Sequence, residues 1–190
     1  MKKLSKFIYS KSNLAACIIL TIIMVMYASI IMGYQSDCIE LSDGTSLLGL
    51  RFGYSYESVL DLFNSLSLSS LKCYSTLLKI WDNIFPFIYG SMYISWLSLI
   101  YKNYRFKNNR LRIINLYPLI PLALDLIENY FENGMLTTFI RLNKVFHVNV
   151  KIASIITQFK WTFSTINYII ILVGIILLIK NKLNTTSGHK

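Results

Sequence analysis

Residues 110–134, RLRIINLYPLIPLALDLIENYFENG, decide the fold of this chain. The stretch opens with basic residues, becomes apolar, and then carries Asp125, Glu128, Asn129 and Glu132. Their spacings of three, four and seven place these side chains on one face of a helix, which we call the acidic face. Polar groups inside an apolar segment are costly in lipid. We therefore expect the acidic face to point into a helical bundle and to contain the functional residues.

The composition is typical of a membrane protein. Of the 190 residues, 54% are hydrophobic and 15% are charged. Three uncharged stretches have the roughly 20 apolar residues that a spanning helix requires, and residues 112–132 form a fourth, weaker candidate. The sequence predicts one all-α domain over residues 1–190, a bundle of four transmembrane helices at about 14–34, 84–101, 112–132 and 155–180.

The basic residues indicate how the bundle is oriented. They cluster at the amino terminus, between residues 102 and 112, and at the carboxyl terminus, each time beside the end of an apolar segment. This is the positive-inside pattern, so the net charge of +10 does not indicate a nucleic-acid partner. Both termini are predicted to be cytoplasmic in a protein of the cell membrane, with residues 35–83 as the outer loop.

The predicted outer loop contains two amphipathic patterns. Ser55 can cap a short helix with Glu57 in its first turn, and a second pattern begins at Leu71. We expect one or two short helices that cap the bundle or lie on the membrane surface, and we favour a structural cap over a movable lid. Cys38 and Cys73 share this loop, where a disulfide between them is allowed but not required.

The sequence contains no motif for a metal or a cofactor. The cysteines and His147 lack metal-ligand spacing, and there is no phosphate-binding loop, dinucleotide-binding glycine pattern or Ser/His/Asp set. We therefore expect no metal and no cofactor. The expected partners are the lipid bilayer and either another membrane protein or a second copy of the chain.

The depth of a residue in the membrane can be estimated from the helix rise, counted from the basic end of its predicted span, and residues of different spans can then be compared by depth. Lys160 falls at the level of Glu132 and within about one turn of Glu128, and Asp82 reaches the same level. Lys160 is therefore the predicted counter-charge of Glu128. Asp125 has no cation at its own depth in this count, so we expect it to be buried and to carry a proton.

Two parts of the sequence resemble a known group of proteins. The first is RFGYS at residues 51–55, followed by an amphipathic helix and then FPFIYG at residues 85–90. The second is the D-x-x-E-N pattern at residues 125–129, with Lys160-Trp161 downstream. Over residues 50–180 the chain resembles a group of uncharacterised small four-helix membrane proteins with these elements. The resemblance implies this architecture and these matching residues, without an activity.

Three functions fit these observations. We favour a non-enzymatic integral membrane protein whose acidic face holds the bundle together or receives a partner. The second is a lipid- or small-molecule-modifying membrane enzyme that uses Asp125 and Glu128 as acid–base groups or metal ligands, although a hard cation needs more oxygen ligands than one pair supplies. The third is a proton-coupled carrier in which Asp125 changes protonation, which four spans without an inverted repeat disfavour.

Overall fold

The computed structural model describes residues 2–42, 44–102 and 111–187. These residues form an all-α structure, and no strand occurs among them. Most of the predicted basic loop, residues 103–110, and the end of the predicted cytoplasmic tail, residues 188–190, lie outside the described residues.

The helices are numbered here in chain order within the described part of the chain. They are α1 (Lys2–Lys11), α2 (Leu14–Ser36), α3 (Tyr56–Ser65), α4 (Leu68–Lys102), α5 (Leu119–Leu142) and α6 (His147–Ser187). Two 3-10 turns, Leu48–Leu50 and Leu111–Leu116, precede α3 and α5. Both α2 and α4 contain a π-helical segment, at Tyr27–Met32 and Leu77–Trp81 respectively.

Three of these helices, α2, α4 and α6, are long and apolar enough to cross a membrane. Large apolar side chains of α2 and α6, including Ile22, Val25 and Leu172, are exposed over much of their surface. Extended apolar surface of this kind suits contact with lipid better than contact with water. The fourth predicted span, α5, is long enough at 24 residues, but its acidic face makes it less apolar than the other three helices.

The second long helix begins earlier than the sequence predicts. The predicted span starts at residue 84, and residues 35–83 were assigned to the outer loop, whereas α4 is continuous from Leu68. The second amphipathic pattern of the loop therefore forms the first turns of α4. Its side chains Leu71, Tyr74 and Leu78 are buried against other helices, so tertiary packing extends the helix beyond its apolar stretch.

The two ends of α5 and the start of α6 also differ from the predicted boundaries. Residues Leu111–Leu116 form a 3-10 turn, and Pro118 occupies the N-cap position of α5, so this helix starts after residue 112 and continues past residue 132. It ends at Asn143, which adopts the left-handed conformation that asparagine tolerates better than most residues. The last helix, α6, starts before the predicted residue 155.

The helices pack around α4, which contacts α2, α5 and α6, and α5 and α6 also pack extensively on each other. Little direct contact joins α2 to α6. Residues 44–66, which we call the cap segment, cover the end of the bundle where α4 and α6 begin. Val59, Leu62 and Phe63 form an apolar stripe on α3 and are buried in the same core as Met135 and Leu136 of α5.

Polar contacts connect the helices at the opposite end of α4. Asn115, which is fully buried, accepts a hydrogen bond from Ser5 of α1 at 2.7 Å and donates one to Ser98 of α4 at 3.0 Å. Cys17 of α2 and Ser95 of α4 approach to 3.3 Å. The serines on this face of α4 thus serve close helix packing.

Candidate functional site

The ammonium group of Lys160, on α6, lies at the centre of the acidic face. It forms an ion pair with Glu128, lies 3.3 Å from Oδ1 of Asp125, and donates a 3.1 Å hydrogen bond to the carbonyl oxygen of Gly49. Lys160 and both carboxylates are buried. Because an unpaired charge in a low-dielectric interior is costly, the three acceptors are what allow an ammonium group to be buried here.

The depth count is right about Lys160 and Glu128 but wrong about Asp125, which does have a cation within reach. The count used Cα positions, whereas the four-carbon side chain of lysine covers about one turn of a facing helix. It also started α5 at residue 112, where the chain forms a 3-10 turn with a larger rise per residue. Lys160 therefore contacts both carboxyl groups, whereas the depth count assigns it to Glu128 alone.

Hydroxyl groups complete the surroundings of the two carboxylates that touch Lys160. Thr157 lies about one turn before Lys160 on α6 and donates a 2.6 Å hydrogen bond to Oε1 of Glu128. Tyr89 of α4 donates a 2.9 Å hydrogen bond to Oδ2 of Asp125. Hydrogen bonds to charged acceptors are stronger than neutral ones, so these donors help to fix both carboxylates.

Glu132, which is only 1% exposed, is held by two tyrosines rather than by Lys160. Tyr54 donates to its Oε1 at 3.2 Å, and Tyr74 donates to its Oε2 at 3.1 Å. The Tyr74 hydroxyl also accepts a 3.2 Å hydrogen bond from the backbone of Leu48. Burial and the neighbouring Glu132 carboxylate raise the pKa of Tyr54, so its hydroxyl keeps its proton and remains a donor.

Asn129 satisfies a backbone group that a proline leaves free. Proline has no N–H, so Pro86 cannot donate to the carbonyl oxygen four residues earlier in α4, which belongs to Asp82. Nδ2 of Asn129 donates a 2.9 Å hydrogen bond to that oxygen. Asp82 thus joins the site through its backbone. Its carboxylate forms no hydrogen bond or ion pair with another described residue.

The RFGYS motif positions the cap segment against α6. The guanidinium of Arg51 donates to the carbonyl oxygen of Ser46 and closes a turn above the site. A Cβ at Gly53 would lie 2.8 Å from Nε2 of Gln158 and 3.2 Å from Oγ of Ser154, so a larger residue here would require these side chains of α6 to shift. The next backbone N–H, that of Tyr54, donates a 2.9 Å hydrogen bond to Ser154 of α6.

Ser55 of the RFGYS motif and Gly90 of the FPFIYG motif serve the helices beside the site. Ser55 caps α3 by accepting a hydrogen bond from the backbone of Ser58 at 3.2 Å. The backbone N–H of Glu57 itself, and then the Ser55 side chain, lower the pKa of Glu57 in the first turn. In FPFIYG, a Cβ at Gly90 would lie 2.6 Å from Cδ1 of Leu122, so α4 approaches α5 closely at this point.

A disulfide joins Cys38 and Cys73, with their Cα atoms 6.2 Å apart. It connects the chain just after α2 to the first turns of α4, next to the cap segment. This is the pairing that the sequence allowed without requiring it. Cys17, the third cysteine, is a free thiol buried in α2.

A cavity of about 420 Å³ borders the acidic face, within the size range of small-molecule sites. The cap segment contributes Leu47, Gly49 and Leu50 to its lining, and the rest comes from α2, α4, α5 and α6. Charged side chains line one part, and apolar or aromatic side chains line the other. The charged residues are Asp82, Asp125, Glu132 and Lys160, and the larger apolar or aromatic residues include Met24, Phe85, Tyr93, Trp161 and Tyr168.

The charged residues of this site are predictable from the sequence, whereas their hydroxyl donors are not. Tyr54 and Tyr89 stand inside the RFGYS and FPFIYG motifs, which was the one available signal for them. Tyr74 lies within the amphipathic pattern that begins at Leu71, and no sequence signal distinguishes Thr157. A tyrosine whose ring packs in a core while its hydroxyl bonds a carboxylate follows the same apolar pattern as phenylalanine.

The fold and the site define an all-α protein with three candidate membrane-spanning helices and a buried cluster of carboxylates around one lysine. Within residues 2–42, 44–102 and 111–187, no group of three or more His, Cys, Asp or Glu side chains could hold a metal ion. The chain has no match among protein-family models, curated proteins or solved structures.

Proposed function

We propose that this chain is a non-enzymatic, multi-pass membrane protein whose acidic interior supports a cavity that receives a partner molecule within the bilayer. The observation that carries this proposal is the cavity of about 420 Å³ that reaches Asp82, Asp125 and Glu132. A chain that needed only a stable bundle would gain from filling such a space, because voids in a core cost stability.

The proposal includes four spans, with α5 as the fourth. A helix of 24 residues is about 36 Å long, which exceeds the roughly 30 Å hydrocarbon core. Its acidic residues Asp125, Glu128 and Glu132 are buried among other helices and so avoid contact with lipid. Four spans return both ends of the chain to the cytoplasmic side, in agreement with the basic clusters.

The contacts of the carboxylates favour binding over catalysis. The enzyme hypothesis requires Asp125 or Glu128 to exchange protons with a substrate, and the carrier hypothesis requires the same of Asp125. Both side chains are instead committed to Lys160 and to a hydroxyl donor. Glu128, moreover, is not among the residues that line the cavity. The ion pairs therefore support a structural role for these two residues, with the cavity beside them as the binding site.

Native mass spectrometry of the protein, purified in mild detergent from membranes, tests this proposal. We expect one bound molecule per chain that keeps its mass during prolonged incubation. Ala28→Phe places a large side chain in the cavity lining and should remove the bound molecule, whereas Ala15→Phe, at an exposed position of the same helix, should not. A bound molecule that changes mass would instead support the enzyme, and a wild-type chain without any bound molecule would contradict the proposal.

A further inference from the structure

The charges around the cavity do not balance. Asp82, Asp125 and Glu132 line one end of it and Glu128 lies beside them, and among the described residues Lys160 is the one ammonium that contacts any of these four carboxyl groups. Three of the carboxyl groups have donors from Lys160, threonine or tyrosine side chains. Asp82, which lines the cavity, has none for its carboxylate. An unpaired carboxylate at a low-dielectric site attracts a cation.

The remaining walls of the cavity are suited to a hydrocarbon chain. Met24 and Ala28 come from α2, Phe85 and Tyr93 come from α4, and Tyr168 comes from α6. Tyr93 and Tyr168 are in edge-on contact with ring centroids 5.3 Å apart, so they form one continuous aromatic surface. A molecule that fills the cavity would thus meet carboxylates at one end and apolar side chains at the other.

The route into the cavity leads from the bilayer. Both α2 and α6 line the cavity and both pack on α4, but they have little contact with each other. The sparse contact between α2 and α6 makes this wall the side from which a ligand would enter. The cap segment covers the charged end, where Gly49 accepts a hydrogen bond from Lys160. A ligand that is soluble in the membrane can reach the cavity without passing the cap segment.

We propose that the cavity binds a single-chain amphiphile with a protonated amine head group, which enters from the bilayer between α2 and α6. The inference rests on the proposed binding function and adds the chemical class of the ligand. The amine donates to the Asp82 carboxylate and lies near Asp125 and Glu132, and the alkyl chain lies along Met24, Phe85 and Tyr93. A two-chain phospholipid exceeds the cavity volume.

Binding of three probes with the same alkyl chain tests this assignment. Tetradecylamine, tetradecanol and tetradecanoate are titrated into the full-length protein in nanodiscs of uncharged lipid at neutral pH, and bound probe is quantified by native mass spectrometry. Tetradecylamine is expected to bind about 10- to 100-fold more tightly than tetradecanol, the difference that one charge-assisted hydrogen bond supplies. Tetradecanoate should bind most weakly, because Asp82 repels it.

Two matched variants separate charge recognition at the site from general effects of charge. Asp82→Asn keeps the backbone carbonyl that Asn129 contacts and should reduce the preference for the amine to near that for the alcohol. Asp61→Asn removes the same charge from an exposed position of α3 and should leave the preference unchanged. The fold of each variant is checked by circular dichroism.

The outcomes distinguish this inference from the function on which it rests. Equal binding of the three probes, with loss of all three in Ala28→Phe, would overturn the amine assignment and leave the binding function standing. A preference for the amine that survives in Asp82→Asn would also overturn the assignment. If none of the probes binds and the purified protein carries no bound molecule, both proposals fail.

Discussion

Lys160 and Glu128 form a buried ion pair between α6 and α5, two helices that pack extensively on each other. The same ammonium also contacts Asp125, one turn away on α5, and the backbone of Gly49. One side chain thus connects α5, α6 and the cap segment. Such a pair adds little stability relative to an apolar pair of the same shape, but it is costly to break on one side.

A double-mutant cycle between Lys160 and Glu128 tests this coupling. Lys160→Ala strands a buried carboxylate and is expected to lower the free energy of unfolding by about 3–5 kcal/mol. Adding Glu128→Gln removes the stranded charge, so the double variant should be more stable than Lys160→Ala alone. Unfolding by sodium dodecyl sulfate, followed by circular dichroism, measures each variant. Lys151→Ala, at an exposed position of α6, is the control. Additive losses would show that the two residues are uncoupled.

A second cycle tests the link between Pro86 and Asn129. Asn129→Ala leaves the carbonyl oxygen of Asp82 unsatisfied, so it should cost about 1–3 kcal/mol in unfolding free energy. In a Pro86→Ala background, the new backbone N–H can bond that oxygen, and the cost of Asn129→Ala should largely vanish. Pro121→Ala removes a proline from the first turn of α5, where a backbone N–H needs no acceptor within the helix, and should not reduce the cost. An equal cost of Asn129→Ala in all backgrounds would rule out the link.

The tyrosine that bonds both Glu132 and the cap segment gives a third prediction. Tyr74→Phe removes the donor to Oε2 of Glu132 and the acceptor of the Leu48 backbone N–H. The expected loss in unfolding free energy is about 1–3 kcal/mol, because the change leaves a buried carboxyl oxygen and a buried backbone N–H without this partner. Tyr130→Phe, at a position 76% exposed on the same helix as Glu132, should change stability little. Equal effects of the two changes would argue against a buried hydrogen bond at Glu132.

The parts of the site that could be predicted from the sequence are those fixed by helical periodicity and charge. The spacing of Asp125, Glu128 and Glu132 gives one helix face directly, and depth counting gives Lys160 as the partner of Glu128. The role of Asn129 was not predictable in the same way. It depends on Pro86 in a helix that is distant in the sequence, and only the packing of α4 on α5 brings the two together.

The cap segment was the hardest part to predict. Its contacts are between backbone groups and side chains, such as Gly49 with Lys160 and Tyr54 with Ser154, and these leave no periodic pattern. The start of α4 at Leu68 was missed for a related reason. The polar residues of its first turns resemble a loop until the core formed by α3 and α5 is known.

Membrane topology provides the fourth prediction. With both termini in the cytoplasm, Ser46 in the cap segment and Asn108 in the basic loop should lie on opposite sides of the membrane. Single cysteines at these positions, in a background without the native cysteines, are labelled in intact cells with a membrane-impermeant maleimide. Only Ser46→Cys should react before the membrane is permeabilised. Reaction of both positions from the same side would overturn the four-span arrangement.

The disulfide between Cys38 and Cys73 gives the last prediction, which depends on the same topology. The two cysteines are 35 residues apart in the sequence. Closing a loop of this length lowers the entropy of the unfolded chain, which stabilises the folded state by about 4 kcal/mol. Disulfides persist outside the cytoplasm, so the bond should form only if residues 35–83 lie there.

The chain has 3 cysteines. Alkylation of the denatured, unreduced protein should therefore add one group, at Cys17, and alkylation after reduction should add one at each cysteine, as counted by mass spectrometry. The Cys38→Ser/Cys73→Ser variant should add one group in either case and unfold at a lower detergent concentration. Full alkylation of the wild-type chain without reduction would show that the cysteines are free and would also remove the support that the disulfide gives to an outer location of the cap segment.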